Sequence, residues 1–458
     1  MLTSVESSRE TPNMGNMRGR TRRSLLQGRV ASRRLWPVLF AAFVWLPANA
    51  ASTPPAAAAQ RGATARVGWT PAVGLAVVLR GRLEILRSGR ATVVSPRAGI
   101  NDLSWSYDGQ WLAFERPDIG TSSVWAVRIN GSGLREVASA AIISYRWSTT
   151  GDVLVIASSS AGPPYSALIR VVAVTSRAHV IDRIANGEAG PIAASGSEVA
   201  VGETLFKASV GFTRGSLLVE SLTGGEAHVE VSSNALSYQP LGFSPDGSTL
   251  IYVVDPDNSA SLAADGLEIH VRGSTGDQVL GVALVDPGSW SWSSDSADLA
   301  ITLGDSRAAW ATDKHVSVCA VLLAHCRRLQ SPPGTISFDP SYGTAGRFAY
   351  VTAAGLGGAS GFGRGSPSGS AVDSWESTFR VLISNGSAVA RELSTLGAAD
   401  DPQWAAGGPG LLVERSGALC YLKSISSPPA CFTPRFLALG FGNYGQFDWR
   451  GSFALAPH

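Results

Sequence analysis

The chain has 458 residues, of which 45% are apolar and only 16% are charged, and its 51 glycines favour a globular core rich in turns. Residues 1–50 hold eight arginines and two glutamates, so the net charge of +2 comes from this segment, and the rest carries 29 basic against 33 acidic side chains. An acid excess on the folded part argues against nucleic acid as a partner, because a phosphate-binding domain carries its positive charge there.

The N-terminal segment has the order of a secretory signal peptide. Arginines between Arg18 and Arg34 precede an apolar run, Leu35–Leu46, and Ala48–Ala50 has the A-x-A cleavage pattern. The apolar run is shorter than the roughly 20 residues of a membrane span, so we expect a signal peptide over residues 1–50 and no stable membrane span in the mature chain. An uncleaved anchor is the alternative. The pairs Arg22-Arg23 and Arg33-Arg34 leave Sec and twin-arginine export both open.

Residues 51–69 are rich in alanine and proline, which is typical of a disordered linker. The sequence therefore predicts an exported, extracytoplasmic protein whose folded domain covers residues 70–458. We expect this domain to be a monomer.

A hairpin pattern recurs along the folded part. In its first copy, Leu103–Phe114, apolar and polar residues alternate, and Tyr107-Asp108-Gly109 can form the turn. The successive copies are anchored at Trp105, Trp147, about Ile192, Phe243, Trp292, Phe338 and Trp404. Most of these anchors are 42–51 residues apart, and the last interval is 66 residues. Because a propeller blade takes about 40–50 residues, the period predicts blades of four antiparallel strands.

The repeated residues resemble those of a known group. The W-S-x-D-G-x-x-[IL]-[AV]-[FY] hairpin, followed by a VWAV-type strand, is similar to the repeat of TolB-like, WD-repeat-like β-propellers, which also occurs in propeller domains of prolyl-oligopeptidase-type enzymes. The resemblance covers most of residues 70–455, and its best copy is FSPDGSTLIYV from Phe243. It implies a propeller that binds a protein or cell-envelope ligand.

The two ends of the folded part bear on the number of blades. Residues 74–94 supply strands before the first anchor, and residues 446–455 contain an anchor-like hairpin around Trp449. A terminal strand that completes the first blade would close the ring and remove exposed strand edges. We therefore predict an all-β fold, a single β-propeller of eight four-stranded blades closed by N- and C-terminal strands. Seven blades is the alternative, if the segment around Ile192 is an irregular connection.

The four cysteines form two local pairs, Cys319 with Cys326 and Cys420 with Cys431. Each pair flanks a short connection between strand-like runs, and opposite residues of an antiparallel pair come within disulfide range. Spacings of seven and eleven residues without a CxxC argue against zinc. We expect two disulfides, with reduced core thiols as the alternative, and no metal or cofactor.

Function is expected where the repeat is interrupted, because residues present in every blade serve the ring. The 66-residue interval contains a Gly/Ser-rich segment, Gly355–Trp375, where Arg364 and Trp375 are the candidate contact residues. An insertion without function is the other interpretation. Shorter loops add the candidates Glu115, Asp118, Tyr165, Asp255 and Asp257. The loop Asp255–Asp265 lacks the glycine and terminal glutamate of a calcium loop, so solvated acids are favoured there.

No catalytic motif is present in the sequence. It contains no GxSxG, HExxH or GxxxxGK[ST], and its six histidines are scattered. We therefore favour a non-catalytic propeller that binds a protein or envelope component through one face. The alternative is a propeller enzyme, a glycan-directed hydrolase or lyase, with acids at the central channel. The enzyme requires carboxylates that converge at the channel mouth, whereas a binding protein requires only a contact surface.

Overall fold

The computed structural model describes residues 74–79, 81–95, 99–118, 121–160, 166–175, 179–207, 211–256, 266–283, 288–304, 310–323, 325–356, 369–384, 390–405, 408–432 and 452–456. All of them belong to one compact unit, residues 59–458. The predicted signal peptide over 1–50 and linker over 51–69 lie outside the described residues.

The described residues form 31 strands and one short α-helix. In chain order the first strands are β1 (Leu75–Leu79), β2 (Arg82–Arg87), β3 (Arg90–Ser95), β4 (Asn101–Trp105), β5 (Trp111–Asp118), β6 (Thr121–Arg128), β7 (Arg135–Trp147), β8 (Val153–Ser159), β9 (Ser166–Ala173), β10 (His179–Ala185), β11 (Gly187–Ala194), β12 (Glu198–Lys207), β13 (Gly211–Ser221), β14 (His228–Ser233), β15 (Ser237–Phe243) and β16 (Leu250–Asp255). The remaining elements are β17 (Leu267–Gly273), β18 (Gly276–Ala283), β19 (Trp290–Trp292), β20 (Asp298–Leu303), β21 (His315–Ala320), β22 (His325–Arg328), β23 (Thr335–Tyr342), β24 (Phe348–Ala354), α1 (Gly369–Glu376), β25 (Arg380–Ser384), β26 (Arg391–Glu392), β27 (Asp400–Trp404), β28 (Leu411–Arg415), β29 (Ala418–Leu422), β30 (Ala430–Phe432) and β31 (Phe453–Leu455).

The strands form eight antiparallel four-stranded sheets, which we number in chain order. Strands β1–β3 belong to the first sheet, β4–β7 to the second and β7–β10 to the third, while the next five sheets take four successive strands each. The long strand β7 is shared, since Ala140 pairs with β6 and Ala141 pairs with β8. These sheets confirm the all-β propeller with eight blades, and the segment around Ile192 forms the inner strand of the fourth.

The first sheet is composed from both ends of the folded part. Strand β31 pairs with β1, with Leu455 opposite Leu75 and Phe453 opposite Val77. In the other sheets the inner strand comes first in the chain. In the first sheet β31, from the C-terminal end, takes this inner position beside β1. The terminal strands share a sheet as predicted. The hairpin expected around Trp449 lies outside the described residues.

Each sheet packs on the next through its own apolar cluster, and the eighth packs on the first. Leu412 and Leu419 of the eighth sheet contact Leu75, Val77 and Phe453 of the first. The second strand of each sheet is therefore buried on both faces, which explains why it is continuously apolar. In β20, for example, Leu299 and Ile301 pack toward the fifth sheet, while Ala300 packs toward the seventh.

The strand register identifies the true anchor of each blade. We take as the anchor the residue of the first strand that pairs with the second strand nearest the turn between them. From the second to the eighth sheet these residues are Trp105, Trp147, Ala194, Phe243, Trp292, Tyr342 and Trp404. The anchor predicted at about Ile192 is Ala194 in this register, and the anchor predicted at Phe338 was wrong by four residues. Phe338 and Tyr342 are both aromatic residues of β23, so the sequence alone does not distinguish which of them is the anchor.

The repeated Asp-Gly turns are structural, as expected. In the second sheet the Ser106 hydroxyl donates to Asp108 Oδ1 at 2.6 Å and accepts the Trp111 amide at 2.9 Å. Gly109 adopts a φ of 65°, a conformation that glycine allows without strain. The same bonds recur around Ser244 with Asp246 and Ser293 with Asp295, so these aspartates order turns.

Both predicted disulfides are present. Cys319 pairs with Cys326 between β21 and β22, and Cys420 pairs with Cys431 between β29 and β30, with Cα–Cα distances of 3.9 and 4.0 Å. Both bridges join the third strand of a sheet to its short outer strand. The outer strand has a neighbour on one side only, so a covalent tie there compensates for few backbone hydrogen bonds.

We predict that replacing either cysteine pair by serines lowers the free energy of unfolding by about 2–3 kcal/mol, because loops of this size lose that much chain entropy when bridged. Chemical denaturation of the exported protein measures the loss. Non-reducing peptide mapping should show Cys319 linked to Cys326 and Cys420 to Cys431. Four free thiols in the exported protein would contradict the pairing.

Candidate functional site

The strands nearest the propeller axis carry an excess of acids. The first strand of a blade lines the central channel, and here these inner strands are β31, β4, the second half of β7, β11, β15, β19, β23 and β27. Their acidic residues are Asp102, Glu188, Asp339, Asp400 and Asp401, and their single basic residue is Arg146. The described lining of the channel is therefore acidic.

These acids differ in their access to solvent. Asp102 is exposed, and Glu188 and Asp401 are half-buried. Asp339 and Asp400 are buried, with 6% and 2% of their surface exposed. A ligand in the channel can therefore contact Asp102, Glu188 and Asp401 directly. Asp339 and Asp400 are covered by other protein atoms.

Three of the aspartates occupy equivalent positions in their blades. Asp102, Asp339 and Asp401 each lie three residues before an anchor, namely Trp105, Tyr342 and Trp404 respectively. Each has a positive φ, 54°, 51° and 43°, and each lies where the pairing register shifts. Aspartate tolerates this left-handed backbone better than most residues, and such bulges often redirect side chains beside functional sites.

A second equivalence lies at the end of the adjacent strands. Glu115 on β5 is opposite Asn101, and Glu414 on β28 is opposite Asp400. Each glutamate follows its anchor tryptophan by ten residues. The second and eighth sheets, which flank the composite first sheet, thus carry the same acidic arrangement at the same end of the blade.

In the eighth sheet two carboxyls face each other. Asp400 lies within hydrogen-bonding reach of Glu414, which also accepts a hydrogen bond from the Gly417 amide of the following turn. Burial, and then repulsion from Glu414 and from the nearby Asp339 and Asp401, raise the pKa of Asp400 well above its ordinary value. Asp400 is therefore the protonated partner, as expected for neighbouring carboxyls that cannot both ionise.

Helix α1 adds another acid to this group. Burial, followed by repulsion from Glu414 and Asp373, raises the pKa of Glu376 to about 7. The acidic surface of the eighth sheet therefore includes a carboxyl that changes its charge near neutral pH.

In the second sheet the acids have polar partners. Burial raises the pKa of Glu115, a hydrogen bond from Ser122 opposes the increase, and the charge of Asp102 adds to it. The Tyr145 hydroxyl donates to the Asp102 carbonyl, which fixes the inner strand against the third sheet. Glu115, selected from the sequence, therefore lies beside Asp102, which the sequence analysis missed.

The remaining candidates are dispersed. Asp118 is exposed at the end of β5, and Asp255 is buried at the end of β16, opposite Ser237. Tyr165, Asp257 and Arg364 lie outside the described residues. Of the predicted residues, the structure thus brings Glu115 and Asp118 to one end of the second sheet.

Trp375 is buried, which contradicts its expected role as a surface contact. It lies on α1 with 2% of its surface exposed, and its ring centroid is 4.8 Å from that of Phe379 and 6.2 Å from that of Trp310. Its indole nitrogen donates to the Ala354 carbonyl at 2.9 Å. The Gly/Ser-rich composition suggested an exposed loop, but the end of this segment, from Gly369, folds as helix α1, and Trp375 packs against Phe338 and Val351 of the seventh sheet.

Within the described ranges, no three His, Cys, Asp or Glu residues are grouped so that they could hold a metal ion. None of the helices described there has the length and apolar character needed to cross a membrane.

No family model matches the chain, and no curated protein matches it. Among solved structures, TolB from Acinetobacter baumannii is 16% identical, with a TM-score of 0.35, over 57% of this chain and 64% of that one. The propeller domain of the Trilobed protease from Pyrococcus furiosus is 9% identical, with a TM-score of 0.42, over 68% and 89%. An oligogalacturonate lyase from Vibrio parahaemolyticus is 12% identical, with a TM-score of 0.43, over 80% and 91%. At these identities the likeness concerns the fold alone.

The Asp400–Glu414 pair predicts a specific pH dependence. Because the pKa of Asp400 is raised by folding, the folded state binds more protons than the unfolded state, and stability falls as pH rises above the ordinary aspartate pKa. Asp400→Asn removes this titration, while its amide can still donate to Glu414. We expect the melting temperature of the variant, relative to the native protein, to be higher at pH 8 than at pH 5 by about 2 °C or more.

The control for this experiment is Glu226→Gln, which removes one exposed negative charge outside the channel. Its melting temperature relative to the native protein should be the same at both pH values. An Asp400→Asn difference that is equally independent of pH would contradict a protonated Asp400.

The burial of Trp375 predicts that Trp375→Ala lowers the free energy of unfolding by about 3–5 kcal/mol, because it leaves a cavity among Trp310, Phe338 and Phe379. The adjacent exposed variant Ser374→Ala should change it by less than about 0.5 kcal/mol. Equal stabilities in urea denaturation would restore Trp375 as a surface residue.

Proposed function

We propose that the protein is an exported, non-catalytic β-propeller that binds a protein or cell-envelope ligand through the face where its inner strands begin. Basic groups of the ligand contact the acidic residues of that face. The carrying observation is the excess of acids on the inner strands, five against one arginine. A surface with one sign of charge attracts and orients a partner of the opposite sign.

The arrangement of the strands supports the choice of face. In an antiparallel pair the start of one strand lies beside the end of the next, so Asp102 and Glu115 share one edge of the second sheet. Asp401 and Glu414 share the same edge of the eighth sheet. Both groups lie at the end from which the turn between second and third strands extends, where Asp118 is exposed.

Export is supported by the cysteines. Disulfides persist in oxidising compartments and are rare in the cytosol, and all four cysteines of this chain are paired. The signal-peptide pattern of residues 1–50 also supports export.

The enzyme alternative has one observation in its favour. The facing pair Asp400–Glu414 resembles in chemistry the carboxyl pairs that act as acid and base in hydrolases. Both side chains are buried, however, with 2% and 8% of their surface exposed, so a substrate in the channel does not reach them without a rearrangement. Binding is therefore the function that the geometry favours. Release of reducing ends from a polysaccharide, lost in Asp400→Asn, would support the enzyme instead.

The proposed binding predicts that a fluorescein-labelled hexalysine peptide binds the native protein, and that a hexaglutamate peptide does not. Binding should weaken with rising salt, because exposed charges are screened. Asp102→Asn combined with Asp401→Asn should weaken hexalysine binding about 2- to 5-fold per carboxylate, as measured by fluorescence anisotropy.

Glu226→Gln again provides the matched control, since it removes the same charge from an exposed turn outside the channel. Its affinity for hexalysine should equal that of the native protein. If the double variant binds hexalysine as tightly as the Glu226→Gln variant and the native protein, the inner strands are not the contact surface and the proposal fails.

A further inference from the structure

A pocket of about 640 Å³ lies between the sixth and seventh sheets, where the chain passes from β22 to β23. Its lining consists of Thr312, Arg328, Leu329, Gln330, Ser331, Pro332, Pro333, Gly334, Thr335, Ile336 and Gly355. Its volume is within the range of about 300–1,000 Å³ that small-molecule sites occupy. None of the acidic inner-strand residues lines it, so it is separate from the proposed ligand surface.

The wall of the pocket is rigid. The Thr335 hydroxyl donates to the Pro332 carbonyl at 2.7 Å, and the Tyr350 hydroxyl donates to the Gln330 carbonyl at 2.9 Å. The Gly355 amide donates to the Gly334 carbonyl at 3.0 Å, which ties this wall to the end of β24. Two successive prolines restrict the backbone further. A site that is formed before its ligand arrives loses little conformational entropy on binding.

The pocket contains one charged residue, and it is a cation. Arg328 is the last residue of β22 and is exposed, and none of the other lining residues is acidic. In the described part of the chain, no carboxylate forms an ion pair with Arg328. A guanidinium group binds a carboxylate through two parallel hydrogen bonds, so Arg328 selects for an anionic group.

The pocket also contains a hydroxyl that lacks a partner. Ser331 Oγ is buried, and no hydrogen bond to it is formed within the described ranges. A buried polar atom without a partner is unfavourable, and rotation of the Ser331 side chain toward the pocket would let a ligand hydroxyl satisfy it. The side chains of Gln330 and Thr312 supply further donors and acceptors.

The rest of the lining is apolar. Leu329 and Ile336 are almost fully buried and form the floor, while Pro332 and Pro333 are exposed at the rim. Such a surface accommodates the carbon skeleton of a ligand whose polar groups point to Arg328 and Ser331. The combination of one cation, several neutral polar groups and an apolar floor fits a small molecule better than a highly charged one.

We propose that this pocket binds a small hydroxylated carboxylic acid of about the size of a sugar acid. Arg328 holds the carboxylate, and Ser331 and Gln330 hold hydroxyl groups. The site adjoins Gly355, where the interruption of the repeat begins. It is independent of the proposed ligand surface on the inner strands, and either can fail alone.

The test uses D-glucuronate and D-glucose, which differ in the carboxylate, with the purified protein in isothermal titration calorimetry. We expect saturable binding of glucuronate and at least 10-fold weaker binding of glucose. Acetate, which lacks hydroxyls, should also bind more weakly than glucuronate. Absence of saturable glucuronate binding to the native protein would overturn the proposal without reference to any variant.

Matched variants locate the binding. Arg328→Gln should weaken glucuronate binding about 10- to 100-fold, the range for loss of a charged hydrogen-bonding partner. Arg327→Gln removes the same charge from the neighbouring residue of β22, which does not line the pocket, and should leave the affinity unchanged. Ser331→Ala should weaken binding about 3- to 10-fold. Equal losses in the two arginine variants would indicate nonspecific attraction and overturn the site.

Discussion

The pairing of β31 with β1 is the contact on which the rest of the structure depends, because it gives the first sheet its fourth strand from the far end of the chain. Joining two segments so distant in sequence carries a large loop-closure cost. That cost is offset by burial on both sides of the composite sheet, where Phe453 packs toward the eighth sheet and Ala76 toward the second. The indole of Trp105 also donates to the Ala454 carbonyl at 2.9 Å, which holds the terminal strand to the second sheet.

Packing on both faces restricts where function can be placed. The middle strands of each sheet are covered by neighbouring sheets, so a charged side chain there would lose its hydration without a partner. The channel side of the inner strands, the outer strands, the strand ends and the connections remain available for polar chemistry. The acids at Asp102 and Asp401, and the pocket around Arg328, occupy these positions. The ring therefore separates a repeated apolar framework from a few sites where individual blades differ.

The sequence was sufficient for the features that repeat. The blade number, the shared terminal sheet and both disulfides follow from a period of aromatic anchors and from cysteines on adjoining strands. It was insufficient where one strand carries two aromatic residues, since Phe338 was taken as the anchor and Tyr342 holds that position in the register. Trp375 was misplaced because glycine and serine content does not reveal a short helix whose single aromatic side chain is buried. Asp401 and Glu414 could have been found by aligning Trp404 with Trp105, since both acids occur at equal distances from the two tryptophans.

The second and eighth sheets repeat a geometry but differ in charge. The residue opposite the glutamate is Asn101 in the second sheet and Asp400 in the eighth. The two side chains differ only in that the first ends in an amide and the second in a carboxyl. An asparagine places no carboxyl directly opposite Glu115, whereas burial and the charge of Glu414 both favour the protonated form of Asp400. Ionising Asp400 would bring a second negative charge to a buried pair, so the two sheets respond differently to pH. A basic ligand that spans both sheets would therefore meet a carboxyl opposite an amide on one side of the composite sheet and two facing carboxyls on the other.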